Sequence, residues 1–198
     1  MPIHSILSIV TACALLACAQ VKVSITHEPV EASSPALRSH MLSGAGLPPA
    51  SLCRADEQVI FSCKVADGPK FASVCGSRRL DAQRGYVQYR FGRAGAPELV
   101  FPQGLGDTQK VFRYAHYFRA QVDRTELSFE RGGYKYSLYD YYEGDVKPVI
   151  KEAGVRVTQA GSGRDVVELR CRGRAVSRLG VLLSVVPDDT ASELGPGG

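Results

Sequence analysis

The stretch Thr125-Glu126-Leu127-Ser128-Phe129-Glu130-Arg131-Gly132-Gly133-Tyr134-Lys135-Tyr136-Ser137-Leu138-Tyr139-Asp140 decides the fold class. Apolar and polar residues alternate on both sides of Gly132-Gly133. A Gly-Gly pair supplies two adjacent positions of permitted positive φ, which a two-residue hairpin turn requires. Closing the chain there sets Arg131 opposite Tyr134, Glu130 opposite Lys135, Phe129 opposite Tyr136 and Leu127 opposite Leu138. One face then carries an apolar ladder and the other a cross-strand ion pair, so turn and pattern specify the same register.

Working outward, β-favouring runs recur at residues 59–65, 70–76, 86–92, 98–101, 111–121, 155–158 and 166–171, with Gly, Pro and Asp between many of them. A second hairpin is expected to join 59–65 to 70–76 through Asp67-Gly68-Pro69. Leu179, Leu182, Leu183 and Val186 recur at helical spacing before Pro187, which fits a short helix or a final strand. The fold expected is all-β: an antiparallel sandwich or barrel of about nine strands, with at most one or two short helices, stabilised by disulfides.

Composition agrees with a packed domain. The 198 residues are 44% hydrophobic and 22% charged, which excludes collagen, coiled coil and disorder throughout. A net charge of +4 from 24 basic and 20 acidic residues is too balanced for a nucleic-acid binder. The expected organisation is a signal peptide over 1–19, a low-complexity linker over 20–51, one β domain over 52–187 and a disordered tail over 188–198. The linker and tail are rich in Ser, Pro, Ala and Gly, and such composition buries too little surface to offset its ordering entropy.

The apolar stretch from Ile3 to Ala17 is too short to span a bilayer and ends in small residues, as secretory signals do. Ala17-Cys18-Ala19 fits cleavage before Gln20. Leu15-Leu16-Ala17-Cys18 also resembles a bacterial lipobox, which would make Cys18 a lipidation site and the only membrane attachment. The expected location is therefore periplasmic or secreted, with an outer-membrane lipoprotein as the alternative. Export makes disulfides of the four body cysteines, Cys53, Cys63, Cys75 and Cys171. Four cysteines allow three pairings. The pairing expected is Cys63 with Cys75 and Cys53 with Cys171, the latter tying the two ends of the domain together.

Phe61-Ser62-Cys63, Cys75 and Tyr86-Val87-Gln88-Tyr89-Arg90-Phe91-Gly92 resemble segments of a group of uncharacterised bacterial exported all-β proteins. Gly133-Tyr134-Lys135-Tyr136-Ser137-Leu138-Tyr139 and Glu168-Leu169-Arg170-Cys171 are similar to segments of the same group. The resemblance spans roughly residues 53–187. It implies an envelope protein and carries no activity.

No catalytic set emerges. His116 is the one histidine of the body and shares a strand face with Phe112, Tyr114 and Phe118, where a histidine satisfied by one hydrogen bond is the ordinary reading. Asp140, Glu143 and Asp145 form a D-x-x-E-x-D run without a calcium-loop fingerprint, so a solvated acidic turn is favoured. No Walker loop, zinc motif or dinucleotide fingerprint occurs, and neither metal nor cofactor is expected. Two surface features remain. Tyr139 and Tyr141 lie on the Lys135 face of the hairpin and offer aromatic contact area. Arg170, Arg172 and Arg174 alternate along one expected strand, placing three guanidinium groups on one face that can grip anionic groups. The function expected is a non-enzymatic envelope binding module, of inhibitor or immunity type, whose partner is a protein or an anionic envelope polymer. The alternative is an envelope-acting hydrolase using His116 or the Asp140, Glu143 and Asp145 carboxylates.

Overall fold

A computed structural model describes residues 50–194. The signal region, Cys18 and most of the linker lie outside the described residues. The chain forms ten strands in two five-stranded antiparallel sheets, with no closed barrel. The first sheet holds β1 (Glu57–Lys64), β2 (Lys70–Ser77), β3 (Val87–Arg93), β4 (Ala96–Phe101) and the short β10 (Val176–Ser177), ordered β10-β1-β2-β3-β4. The second holds β5 (Phe112–Arg119), β6 (Val122–Arg131), β7 (Tyr134–Glu143), β8 (Ile150–Gln159) and β9 (Asp165–Arg170), in that order.

The Gly-Gly hairpin forms in the register its sequence dictates. Arg131 faces Tyr134, Glu130 faces Lys135, Phe129 faces Tyr136 and Leu127 faces Leu138. Both turn glycines adopt positive φ, 59° and 81°. The alternation turns Phe129, Leu127 and Leu138 towards the first sheet, and all three are buried in the shared core. Phe129 is the hub of that core. Its ring stacks on Phe101 from the first sheet at 4.5 Å and on Tyr136 at 4.9 Å, with Tyr89 at 5.2 Å and Phe112 at 5.6 Å.

Of the short helix or final strand that the spacing near the C-terminus allows, a short helix forms, a single 3-10 turn over Leu179–Leu182. Leu179, Leu182 and Val186 enter the core, while Leu183 stays exposed. Pro187 ends the helical run, and the chain then attaches to β5. The Tyr114 amide donates to Pro187 O at 2.9 Å, and the Asp189 amide donates to Tyr114 O at 2.7 Å. The tail expected to be disordered from Asp188 is therefore docked at its start. The Asp189 carboxylate is buried, accepting from Ser128 Oγ at 2.8 Å and Lys135 Nζ at 2.9 Å. Burial alone would raise its pKa, but these two donors hold it below the usual carboxylate range.

The disulfides correct the expected pairing. Cys53 is bonded to Cys75, and Cys63 to Cys171. The reason lies in strand sidedness. Cys63 pairs opposite Ala72 and belongs to the core face with Phe61 and Val74. Cys75 pairs opposite Val59, beyond a bulge between Val59 and Phe61, and turns to the outer face. Two cysteines on opposite faces of a sheet cannot be bridged. Cys63 instead crosses to Cys171 just past β9, where Val65 and Cys171 form a β-bridge. Cys75 bonds to the segment laid over the outer face of the first sheet.

Candidate functional site

The expected surface site begins with Tyr139 and Tyr141. Strand alternation puts both on the outer face of the second sheet, away from the core, together with Glu126, Glu152, Gly154, Arg156, Glu168 and Arg170. Tyr139 is nevertheless 0% exposed. Its burial comes from its own sheet. Gly154 sits directly opposite on β8, and the absent side chain leaves a trough for the phenol ring. A Cβ on Gly154 would lie 2.6 Å from Leu169 O and 2.7 Å from the Tyr139 hydroxyl. The Arg156 guanidinium lies over the ring, 5.2 Å from its centroid.

The polar atoms of this face satisfy one another. Tyr139 donates to Glu168 Oε1 at 2.9 Å, and Tyr141 donates to Glu126. Arg170 pairs with Glu168 at 3.2 Å and with Glu152 at 3.6 Å. Arg156 reaches Glu168 at 3.7 Å and Glu126 at 3.9 Å. Burial first, then the hydrogen bond to a carboxylate, push both phenol pKa values upward, so both tyrosines are neutral donors. The exposed aromatic platform expected here is thus a packed, charge-balanced layer. Replacing Gly154 with Ala is expected to cost about 1–3 kcal/mol, as overpacking does. Urea unfolding beside wild type measures it.

The arginine stripe does not form either. β9 ends at Arg170, because Cys171 is drawn to Cys63 and the Arg172 amide donates to Lys64 O at 2.7 Å. Arg172 and Arg174 lie in the following turn around Gly173, exposed and away from the network that holds Arg170.

The hydrolase candidates are dispersed. His116 Nε2 lies 2.9 Å from Asp123 Oδ1, the single hydrogen bond expected of an edge histidine. Asp140 and Glu143 project from opposite faces of β7 by alternation. Glu143 accepts from Arg124 at 2.6 Å, and Asp145 accepts from Arg119 at 2.6 Å. Glu143 and Asp145 are each paired with an arginine, and Asp140 shares an inward rung with His116 through Thr125, so the candidates do not gather into one cluster. The one donor cluster among the described residues that is compact enough for a metal is Cys53, Glu57 and Cys75. Its sulfurs are spent in the disulfide.

Glu57 anchors a network that the sequence reading missed. Its carboxylate is fully buried on the outer face of the first sheet. Arg90 grips it with two bonds, Nη1 to Oε2 at 2.7 Å and Nη2 to Oε1 at 2.6 Å, and Tyr86 donates to Oε1 at 2.7 Å. Arg90 also donates to Gln88 Oε1 and to Leu52 O. Ser62 donates to Ala50 O and Ser73 accepts from the Leu52 amide, so residues 50–53 are strapped across the strand faces beneath them. Gln88 and Arg90 alternate with Val87, Tyr89 and Phe91, which reads as a solvent face. Only the strap makes it a buried one.

With these faces occupied, two groups of exposed apolar residues lie at the two ends of the second sheet, apart from Leu105, Val111, Val181 and Leu183 elsewhere. At one end the inward row of β5 runs from buried Phe112 and Tyr114 through half-buried His116 to Phe118, 71% exposed. Tyr142 shares that inward face two strands away, while Tyr117 and Ile150 are exposed on the outer face of the same end, and Val149 is exposed in the adjoining connection. The β5–β6 and β7–β8 connections are tied by a 2.7 Å bond from the Gly144 amide to Gln121 O and by the Arg119–Asp145 pair. At the other end, Tyr134, Val166 and Val167 are exposed at the mouth of an apolar cleft.

No helix among the described residues is long and apolar enough to cross a membrane, and the two disulfides fit a non-cytoplasmic setting. Comparison with protein-family models, curated proteins and solved structures returns no match. The class defined by the chain itself is a disulfide-bonded, two-sheet antiparallel β domain.

Proposed function

We propose that this chain is a non-enzymatic binding module of the cell envelope, exported and held oxidised, that docks a protein partner on the Phe118 end of its second sheet. The observation that carries the reading is Phe118 itself. It continues an inward row whose other aromatic members are covered, and it stands 71% exposed in solvent. An exposed Phe with Tyr142 on the same inward face, bordered by His116 and Asp123, has the make-up of an interface centre with a polar border. The two tied connections keep that surface rigid, which lowers the ordering cost of binding.

The dispersal of His116, Asp140, Glu143 and Asp145 supports a binder over a hydrolase. Docking of an anionic polymer is less well supported, because Arg170 is committed to Glu168 and Glu152. Phe118→Ser is expected to change folding stability by no more than about 0.5 kcal/mol. It should cost at least about 2 kcal/mol of affinity for the partner. The test is to identify the partner by photo-crosslinking from position 118, then to titrate it against wild type and the variant. Undiminished affinity of Phe118→Ser overturns the proposal.

A further inference from the structure

At the end of the second sheet opposite Phe118, a cleft of about 300 Å³ opens between the sheets. Phe91 and Leu99 line one wall, and Tyr136, Val155, Val157 and Leu169 line the other, with no charged side chain among the lining residues. Such a volume holds about ten groups of methylene or water size, at the lower limit of small-molecule sites.

Two further observations indicate what enters it. The first is Tyr89, which also lines the cleft. Its side chain is 1% exposed, and its hydroxyl has no hydrogen-bond partner among the described residues. No buried side-chain polar atom among the described residues lacks a partner, so this hydroxyl is not sealed in the core but opens on the cleft. Burial first, and then neighbouring Tyr136, push its pKa upward, so it remains a donor. The second is the charge at the mouth. Tyr134 lies directly opposite Arg131 across the Gly-Gly turn and opposite Gln159 on β8. The Gln159 side chain is bonded by Arg164 Nη2 at 3.0 Å. Arg131 and Arg164 are both exposed and make no ion pair among the described residues. An apolar slot, one hydroxyl open to it and two guanidinium groups at its rim are complementary to one kind of molecule.

We infer that the cleft binds a single-chain carboxylate amphiphile, a medium-chain fatty acid, with its hydrocarbon tail between the sheets. The carboxylate then stays at the rim, where Arg131 and Arg164 neutralise it. Burying the tail removes apolar surface from water on both partners. A charged head without cations nearby would stay in water, and the rim arginines remove that obstacle. This site is separate from the Phe118 surface, and neither proposal depends on the other.

The experiment is calorimetric titration of the full chain with decanoate, decanol and decyltrimethylammonium, each below its aggregation threshold. One saturable decanoate site per chain is expected, with decanol roughly tenfold weaker and the cationic amphiphile weaker still. Val166→Glu puts a carboxylate at the exposed mouth and should abolish decanoate binding while leaving the melting temperature unchanged. Arg131→Ala combined with Arg164→Ala should bring decanoate to the level of decanol. Phe118→Ser should leave every titration as in wild type. Absence of a saturable site, equal binding of the three amphiphiles, or decanoate binding that survives Val166→Glu overturns the inference.

Discussion

Arg90→Met is expected to lower folding stability by about 3–5 kcal/mol, the penalty for stranding a buried charge. The substitution keeps an apolar stem of similar reach but removes both bonds of the buried partner, leaving the Glu57 carboxylate, with no solvent exposure of its side chain, to Tyr86, the Arg54 amide and the half-exposed Arg54 guanidinium at 3.0 Å. Adding Glu57→Gln to Arg90→Met should return a large part of the loss, because the uncompensated charge is then gone. Urea unfolding of wild type, both single variants and the double variant gives the coupling directly. Protonation of Glu57 acts in the same direction. Burial by itself would raise its pKa, but the bonds from Arg90, the Arg54 amide and Tyr86 outweigh this and hold it below the usual carboxylate range. A carboxylate with a depressed folded-state pKa stabilises fully above its unfolded pKa, and its contribution disappears as pH falls through the folded value. Wild type should therefore lose stability in that acid range, and Glu57→Gln should show a shallower loss there.

The second large effect concerns the longer disulfide. Cys63 and Cys171 are 108 residues apart in sequence, whereas Cys53 and Cys75 are 22 apart. In the chain-entropy account the longer loop is worth about 5 kcal/mol and the shorter about 3 kcal/mol. The Cys63→Ala, Cys171→Ala pair should accordingly lower the urea midpoint further than the Cys53→Ala, Cys75→Ala pair. The longer link also sets the end of β9 against β1, where the Ala66 amide donates to Arg170 O and the Arg172 amide to Lys64 O. Its loss releases those contacts too.

What the sequence reveals and conceals follows from the range of each interaction. The Gly132-Gly133 hairpin is legible because its turn and its alternating pattern are local, and the two agree. The same pattern tells that Tyr139 and Tyr141 leave the core side. It does not tell that Tyr139 is buried, because Gly154 reaches it only through the β7–β8 pairing, across a connection with no turn signal as sharp as Gly-Gly. Cysteine pairing fails for a similar reason. The β1–β2 register sets Cys63 opposite Ala72, three residues from Cys75, so alternation along β2 turns Cys75 to the other face, and the Asp67-Gly68-Pro69 turn does not announce that register. The Arg170, Arg172 and Arg174 alternation is real in the sequence but needs a strand that continues, and the pull of Cys171 towards Cys63 ends it. Phe118 belongs visibly to the row of Phe112, Tyr114 and His116. Its exposure depends on where the opposing layer stops, which alternation along β5 does not encode.

The same contrast argues against docking on the tyrosine-rich face. Tyr139, Tyr141, Arg156 and Arg170 spend their donors on Glu126, Glu152 and Glu168, so a partner docking there would have to displace bonds already made. Phe118 has no polar bond to give up, and its neighbours His116 and Asp123 are bonded to each other.

The most direct measurement is a photo-crosslinking scan in cells that make the protein. A benzophenone amino acid is placed at Phe118, Tyr142 and Val149 on one surface, and at Tyr141, Glu152 and Arg170 on the other. The account predicts a discrete protein adduct from the Phe118 group, with none from the Tyr141 group. Adducts confined to the Tyr141, Glu152 and Arg170 positions would contradict it.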